Sequence, residues 1–190
     1  MKKALFIAGA AILLFAFKAV TPSTWALDKA HSQLVFSINH LGVSDISGAF
    51  TDFDCTITTS KEDFSDAVIE LNAEAKSINT LNEKRDEHLK GPDFFDAAKY
   101  PTISFKSKSF KLVSGKKYKV SGDFTMHGVT KPVELEATMH SGTNPMSKKP
   151  VTGFKVTGMI KRTDFGVGAS MPGMLSDEVM LVGNTEFMPK

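Results

Sequence analysis

Beyond Trp25 the chain alternates apolar and polar positions with a period of two, the pattern of strands that bury one face. "SQLVFSINH" puts Leu34, Phe36, Ile38 and His40 on one side, and "FDCTIT" does the same for Phe53, Cys55 and Ile57. Phe50 is out of phase with the latter, so a bulge is predicted near Thr51 and Asp52. Ile69, Leu71, Ala73 and Ala75 oppose Glu70, Asn72 and Glu74. Ile103 and Phe105 oppose Lys106 and Lys108, and Tyr118, Val120, Gly122, Phe124 and Met126 follow in phase. The second half continues through Val133, Leu135, Ala137 and Met139, then Phe154, Val156 and Ile160, and closes with Val179, Leu181, Gly183, Thr185 and Phe187. About eight amphipathic strands with polar turns predict one antiparallel all-β domain. A closed barrel, which removes sheet edges, and a two-sheet sandwich both satisfy the pattern.

One stretch breaks the alternation. "TLNE" reads as a capping box with Thr80 as N-cap and Glu83 three positions on, and Gly91-Pro92 is a stop signal. A helix over residues 81–90 is predicted, with Leu81, Arg85, His88 and Leu89 on one face. Asp93 is positioned to cap a further turn carrying Phe94 and Phe95. This insertion is expected to lie against a mouth or flank of the strands.

The first residues, "MKKALFIAGAAILLFAFKAV", have the charged and then apolar order of a secretory leader. Residues 1–23 are read as a signal peptide and residues 24–190 as the domain, which predicts a periplasmic or secreted protein. A retained anchor is the alternative, although spanning a bilayer takes roughly 20 apolar residues. Losing the leader removes Lys2, Lys3 and Lys18 and no acid, so 23 basic and 21 acidic residues become 20 and 21. The apparent basicity thus belongs to targeting, and no nucleic-acid stripe remains. Cys55 is the only cysteine, so an intrachain disulfide is excluded, and its place in an apolar alternation predicts an inert buried thiol.

Catalytic signatures are missing. No G-x-S-x-G elbow occurs, and Asp28, His31 and Ser32, though close in sequence, alternate across a strand and do not by themselves make a triad. The five histidines include no H-x-H or H-E-x-x-H pair, so neither a metal nor a cofactor is expected, and no enzyme. His127, before Gly128 at a turn, has a structural reading. Arg162 continues the inward phase of Phe154 and Ile160. An inward guanidinium needs a partner, either a salt bridge to Asp164, Asp86 or another acid, or the polar head of a ligand. Arg85 and His88 carry the same two readings.

Four segments in this order, "WALDKAHSQLVFSINHLGVSDISGAF", "RDEHLKGPDFFDAAKYPTISFKS", "GDFTMHGVTKPVEL" and "KRTDFG", span nearly the whole domain. Together they resemble the YceI-like, polyisoprenoid-binding family of bacterial periplasmic proteins. The resemblance implies a lipocalin-like eight-stranded antiparallel barrel around a long apolar tunnel. It implies as ligand an isoprenoid or comparable amphiphile, such as a prenyl lipid, quinone or fatty amide, held for transport, storage or sequestration. It also brings Asp93, Phe94 and Phe95, with Arg85 and His88, to the lid region.

Alternation then nominates the tunnel wall: Leu34, Phe36 and Ile38, Leu71, Phe105, Phe124, Leu135 and Phe154. Phe94 and Phe95 are expected as an apolar stopper, and Arg85, His88 and Arg162 as contacts near the lid or a head group. Transient membrane contact is expected of a lipid carrier, and the oligomeric state stays open, a homodimer being one option. The rival readings are a filled barrel serving as a scaffold and, with less support, a hydrolase.

Overall fold

A computed structural model describes residues 21–190. The predicted leader, residues 1–23, lies outside the described residues but for its last three positions, and Ser23 opens the first strand.

Strands β1 (Ser23–Leu27) and β2 (Gln33–His40) run one after the other along the C-terminal strand β11 (Leu175–Pro189). Between them Asp28 accepts the Ala30 N–H and turns the chain through a short 3-10 segment. Strands β3 (Ser44–Phe50) and β4 (Phe53–Thr59) form a second broken pair alongside, split at the predicted irregularity, Thr51–Asp52. The bend lets both Phe50 and Phe53 be buried although their spacing is odd. Next come β5 (Val68–Glu74), β7 (Thr102–Ser114), β8 (Lys117–Met126), β9 (Val129–Thr143) and β10 (Pro150–Lys161), antiparallel neighbours in that order. β10 pairs with β11, and β11 with β1, so the ring closes as an eight-stranded antiparallel barrel. The barrel, and not the sandwich, is the architecture.

Tight turns fix the register where the sequence offers the right residues. The β8–β9 loop is only His127 and Gly128, both at positive φ (53° and 75°), the geometry that suits a right-twisted hairpin. A Cβ on Gly128 would lie 2.5 Å from the Tyr100 ring, so glycine is required there for space as well. His127 has the predicted structural role. Its Nδ1 hydrogen-bonds the Phe165 carbonyl at 3.2 Å and its ring packs edge-on to Tyr100 at 4.5 Å.

The insertion occupies a gap in the barrel wall. β5 leaves the sheet at Ala75, so the edge of β3 continues without a strand partner except where β6 (Ile78–Asn79) pairs at Ala49 and Phe50. Helix α1 (Glu83–Lys90) and the turn after it fill the rest. The helix starts two residues later than predicted. Leu81 sits in the left-handed region (φ 60°) and is 96% exposed, so it neither joins the helix nor shares its face. Asn82 is the N-cap, accepting from the Arg85 N–H at 3.0 Å. Thr80 instead gives its N–H and hydroxyl to the buried Asp86 carboxylate. The predicted second helical turn at Asp93 is a series of turns, with the Phe95 N–H donating to the Leu89 carbonyl at 3.0 Å.

Candidate functional site

The inward faces do not meet at the barrel axis. They leave an apolar cavity of about 420 Å³ running along the inside of the barrel, within the roughly 300–1,000 Å³ of ordinary ligand sites. Leu34, Phe36, Ile38, Leu71, Phe105, Phe124, Leu135 and Phe154 all line it, as do Phe94 and Phe95 from the insertion. Arg85, His88 and Arg162 line it too.

One end is an aromatic floor. Phe154 packs against Phe64 (5.6 Å), Phe110 (5.7 Å) and Phe187 (6.2 Å), and Tyr118 lies on Phe110 at 4.6 Å. Phe64 reaches this cluster from the β4–β5 loop and also packs at a tilt against Trp25 at 5.2 Å. The Tyr118 hydroxyl donates to the Asp63 carbonyl at 2.6 Å, which ties that loop across the barrel end.

The other end is capped by the insertion and by the segment after β10. From Phe154 to Lys161, the end of β10, the strand advances seven residues, about 23 Å at ~3.3 Å per residue. Arg162 follows as the first residue of a short 3-10 segment and not as a further strand position. Phe95 closes edge-on against Phe50 at 5.6 Å, and Phe94 against the His88 ring at 5.0 Å. Polar groups collect here. Arg85 Nε donates to the Thr80 hydroxyl and Nη2 to the Thr80 carbonyl, both at 2.7 Å. Since Thr80 also holds Asp86, the Arg85 charge is connected to a carboxylate through one bridging residue. His88 lies at the mouth, with Nε2 3.8 Å from Asp93 and most of its side chain exposed.

Arg162 differs. It is 4% exposed and makes no salt bridge with any described residue. Asp164 pairs with Lys131 at 3.5 Å and Asp86 is engaged by Thr80, so the predicted ion pair is absent among the described residues. Backbone carbonyls take its place: Nε donates to Ser176, and Nη1 to Val167 and Ala169, each at 2.9 Å. Nη2 has no partner among the described residues. Asp177 feels the Arg162 charge, but its carboxyl is held below the usual range mainly by the Thr163 hydroxyl, with Arg162 a smaller contributor.

Outside the cavity, His31 Nδ1 meets Asp28 at 2.9 Å, while the Ser32 hydroxyl accepts the Glu186 N–H at 3.0 Å. Asp28, His31 and Ser32 are thus not wired as a triad. Glu186, distant in sequence, brings a carboxylate to within 4.8 Å of ligand atoms of Asp28 and His31, on the surface at the β1–β2 break.

Residues 25–187, the barrel from first to last strand, match the YceI-like domain. The chain belongs to the YceI-like family. Protein YceI of Escherichia coli O157:H7 is 36% identical over 189 residues, 98% of this chain and 97% of that one. Protein YceI of Salmonella arizonae is likewise 36% identical, with the same coverage. Among solved structures, the Campylobacter jejuni YceI protein aligns at a TM-score of 0.72 with 32% identity, covering 92% of this chain and 99% of that one. A polyisoprenoid binding domain from Saccharophagus degradans shares the fold at a TM-score of 0.64 and 17% identity, covering 87% and 98%.

The YceI-like cavity has wall residues that strand alternation did not nominate. Phe110 reaches it because β7 slips register between Ser107 and Ser109, just after Ser107, which keeps the phase of Ile103 and Phe105 and accepts the Ile69 N–H at 2.8 Å. Ile46 and Val167 also contribute. Cys55 lines the wall at 4% exposure, and burial, with the Asp54 charge adding to it, pushes its thiol up to about 12. At pH 8 the thiolate is then about one part in ten thousand. Native protein is expected to resist a charged disulfide reagent and to react stoichiometrically once unfolded by guanidinium. Fast labelling of the folded protein would mean that this wall opens.

Proposed function

We propose that the protein binds a long-chain amphiphile of the isoprenoid kind, with its chain along the cavity and its head toward α1. The observation that carries this reading is the cavity itself, apolar from the Phe154 floor to the Phe94–Phe95 end. A polyisoprenoid-binding relative with the same fold supports it. The leader pattern supports a role in the periplasm or outside the cell, as carrier, store or sequestering agent. No chemistry on the ligand is part of the reading.

Magnitudes favour a long chain. Each buried methylene contributes about 0.8 kcal/mol, whereas association costs at least ~4 kcal/mol in lost freedom. A chain of five carbons would barely offset that cost, and one of fifteen clears it comfortably. Such a site selects for length and girth.

Exchange with a membrane fits the α1 end. Leu41, Val43, Leu81 and Met174 are exposed there. Three of them, Leu41, Leu81 and Met174, are chain neighbours of the cavity residues His40, Thr80 and Leu175. Leu41 also donates its N–H to Met174 at 2.9 Å, so the two lie side by side.

The test is mass spectrometry of an organic extract of natively purified protein, with uptake of added prenyl compounds measured alongside. A recurrent long-chain lipid at near-stoichiometric yield is expected. A clean extract together with no uptake would overturn the carrier reading in favour of a scaffold.

A further inference from the structure

Arg162 is held as a fixed donor with one side left over. Of its five N–H groups, three are spent on the carbonyls of Ser176, Val167 and Ala169, which lock the guanidinium plane. The two on Nη2 are buried and without a partner. The residue lines the cavity, and Nη2 itself is covered, so a head group must displace what covers it to reach those donors. Phe94 lies beside it: a Cβ on Gly168 would come 2.8 Å from Arg162 Nη1 and 2.9 Å from the Phe94 ring. Gly168 has φ +70° and is the residue whose lack of a side chain lets ring and guanidinium approach.

A buried positive charge with open donors is unfavourable until an acceptor arrives, and an anionic acceptor relieves it most. Carbonyl dipoles satisfy part of the hydrogen-bonding demand, but they bring no net negative charge. A lone hydroxyl head would accept a hydrogen bond and leave the charge balanced only by the field of Asp177. The other basic group at this end, Arg85, is already linked to Asp86 through Thr80, which singles out Arg162.

We infer that Arg162 Nη2 is the head-group subsite of the cavity and selects amphiphiles ending in an oxyanion, a carboxylate or a phosphate, seated beneath Phe94. This rests on the carrier reading and adds the ligand's polar class and orientation to it.

Three ligands that share one C15 chain isolate the head: farnesyl phosphate, farnesoic acid and farnesol, titrated calorimetrically at pH 7.5 into the full domain. The two oxyanions are expected to bind at least about tenfold more tightly than the alcohol. In Arg162→Gln the preference of the oxyanions over the alcohol should shrink to within about twofold. Because Arg162 also braces three carbonyls, the variant's fold is checked by circular dichroism. A second measurement needs only the wild type, carrying arginine labelled with nitrogen-15 in the guanidinium. Farnesyl phosphate should slow exchange of one pair of arginine Nη protons, and farnesol should not. Equal affinity for all three heads in the wild type would overturn the subsite and leave the carrier intact. No binding of any of the three would overturn both. Inorganic phosphate that binds as tightly as farnesyl phosphate would also overturn it, since the site would then be a chain-independent anion site.

Discussion

Gly183→Leu is expected to leave the barrel folded and to weaken binding of a long-chain ligand about a hundredfold. Gly183 stands on β11 in the inward phase, opposite Leu34 on β2 and Val156 on β10. It lines the cavity, and the nearest heavy atom to an added Cβ is the Val156 Cβ at 3.7 Å, an ordinary contact. The rest of a leucine side chain would extend into ligand space. Displacing about four chain carbons at about 0.8 kcal/mol each removes about 3 kcal/mol, two powers of ten in affinity. Filling a void should leave the melting temperature unchanged or raise it, so binding and stability move in different directions. Other inward glycines offer no such room: at Gly158 an added Cβ would meet the Leu135 side chain at 2.2 Å, and at Gly122 the Phe105 ring at 2.7 Å. A chain-length series titrated into both proteins, with thermal unfolding beside it, is the measurement. Unchanged affinity in a folded variant would mean that the chain does not occupy this cavity.

Much of this barrel was legible because its strands obey one rule. A residue in phase with Leu34 or Leu135 faces the cavity, and period two carries that phase without knowledge of the partner strand. The rule fails where the backbone slips. Ser107 and Phe110 are three apart and both point inward, because a register shift lies between them that composition does not mark. The helix start failed for a different reason. The capping-box pattern points to Thr80, whereas Asn82, two positions on, caps the helix. In the fold the Thr80 hydroxyl is committed to Asp86 and Arg85, and Leu81 turns left-handed between the two.

Phe64 shows a further limit. Nothing in "SKEDFSDA" announces a plug, yet the side chain is buried against Trp25 and Phe154, which come from strands far away in sequence. Arg162 was half legible. Alternation placed it inward, and the cost of an unpaired charge demanded a partner. The partners turned out to be carbonyls of a loop and of the first residues of β11, groups that every residue possesses and no pattern distinguishes. The Asp28–His31–Glu186 cluster was hidden in the same way, since its third member arrives from the other end of the chain.

The double substitution Phe94→Ala with Phe95→Ala is expected to speed ligand release by about 30- to 150-fold from a barrel that remains folded. Both rings sit on the insertion and line the cavity. Phe94 is buried against His88, and Phe95 is partly buried against Phe50. If each ring gives the bound chain roughly 1–1.5 kcal/mol of apolar contact, losing both removes about 2–3 kcal/mol, and such losses fall mostly on the dissociation rate. Truncating a fully buried phenylalanine costs about 3–5 kcal/mol of stability. Phe95 is less enclosed than that, and both rings lie outside the hydrogen-bonded ring of strands, so the expected cost is toward the lower end. A lower melting temperature with a cooperative transition is therefore part of the prediction. Exchange of a fluorescent prenyl analogue against unlabelled competitor reads the release rate, and each single variant gives the fallback should the double variant unfold. Wild-type exchange in a folded double variant would make the two rings outer packing only, and the lid would have to be sought in the mouth residues Arg85 and His88.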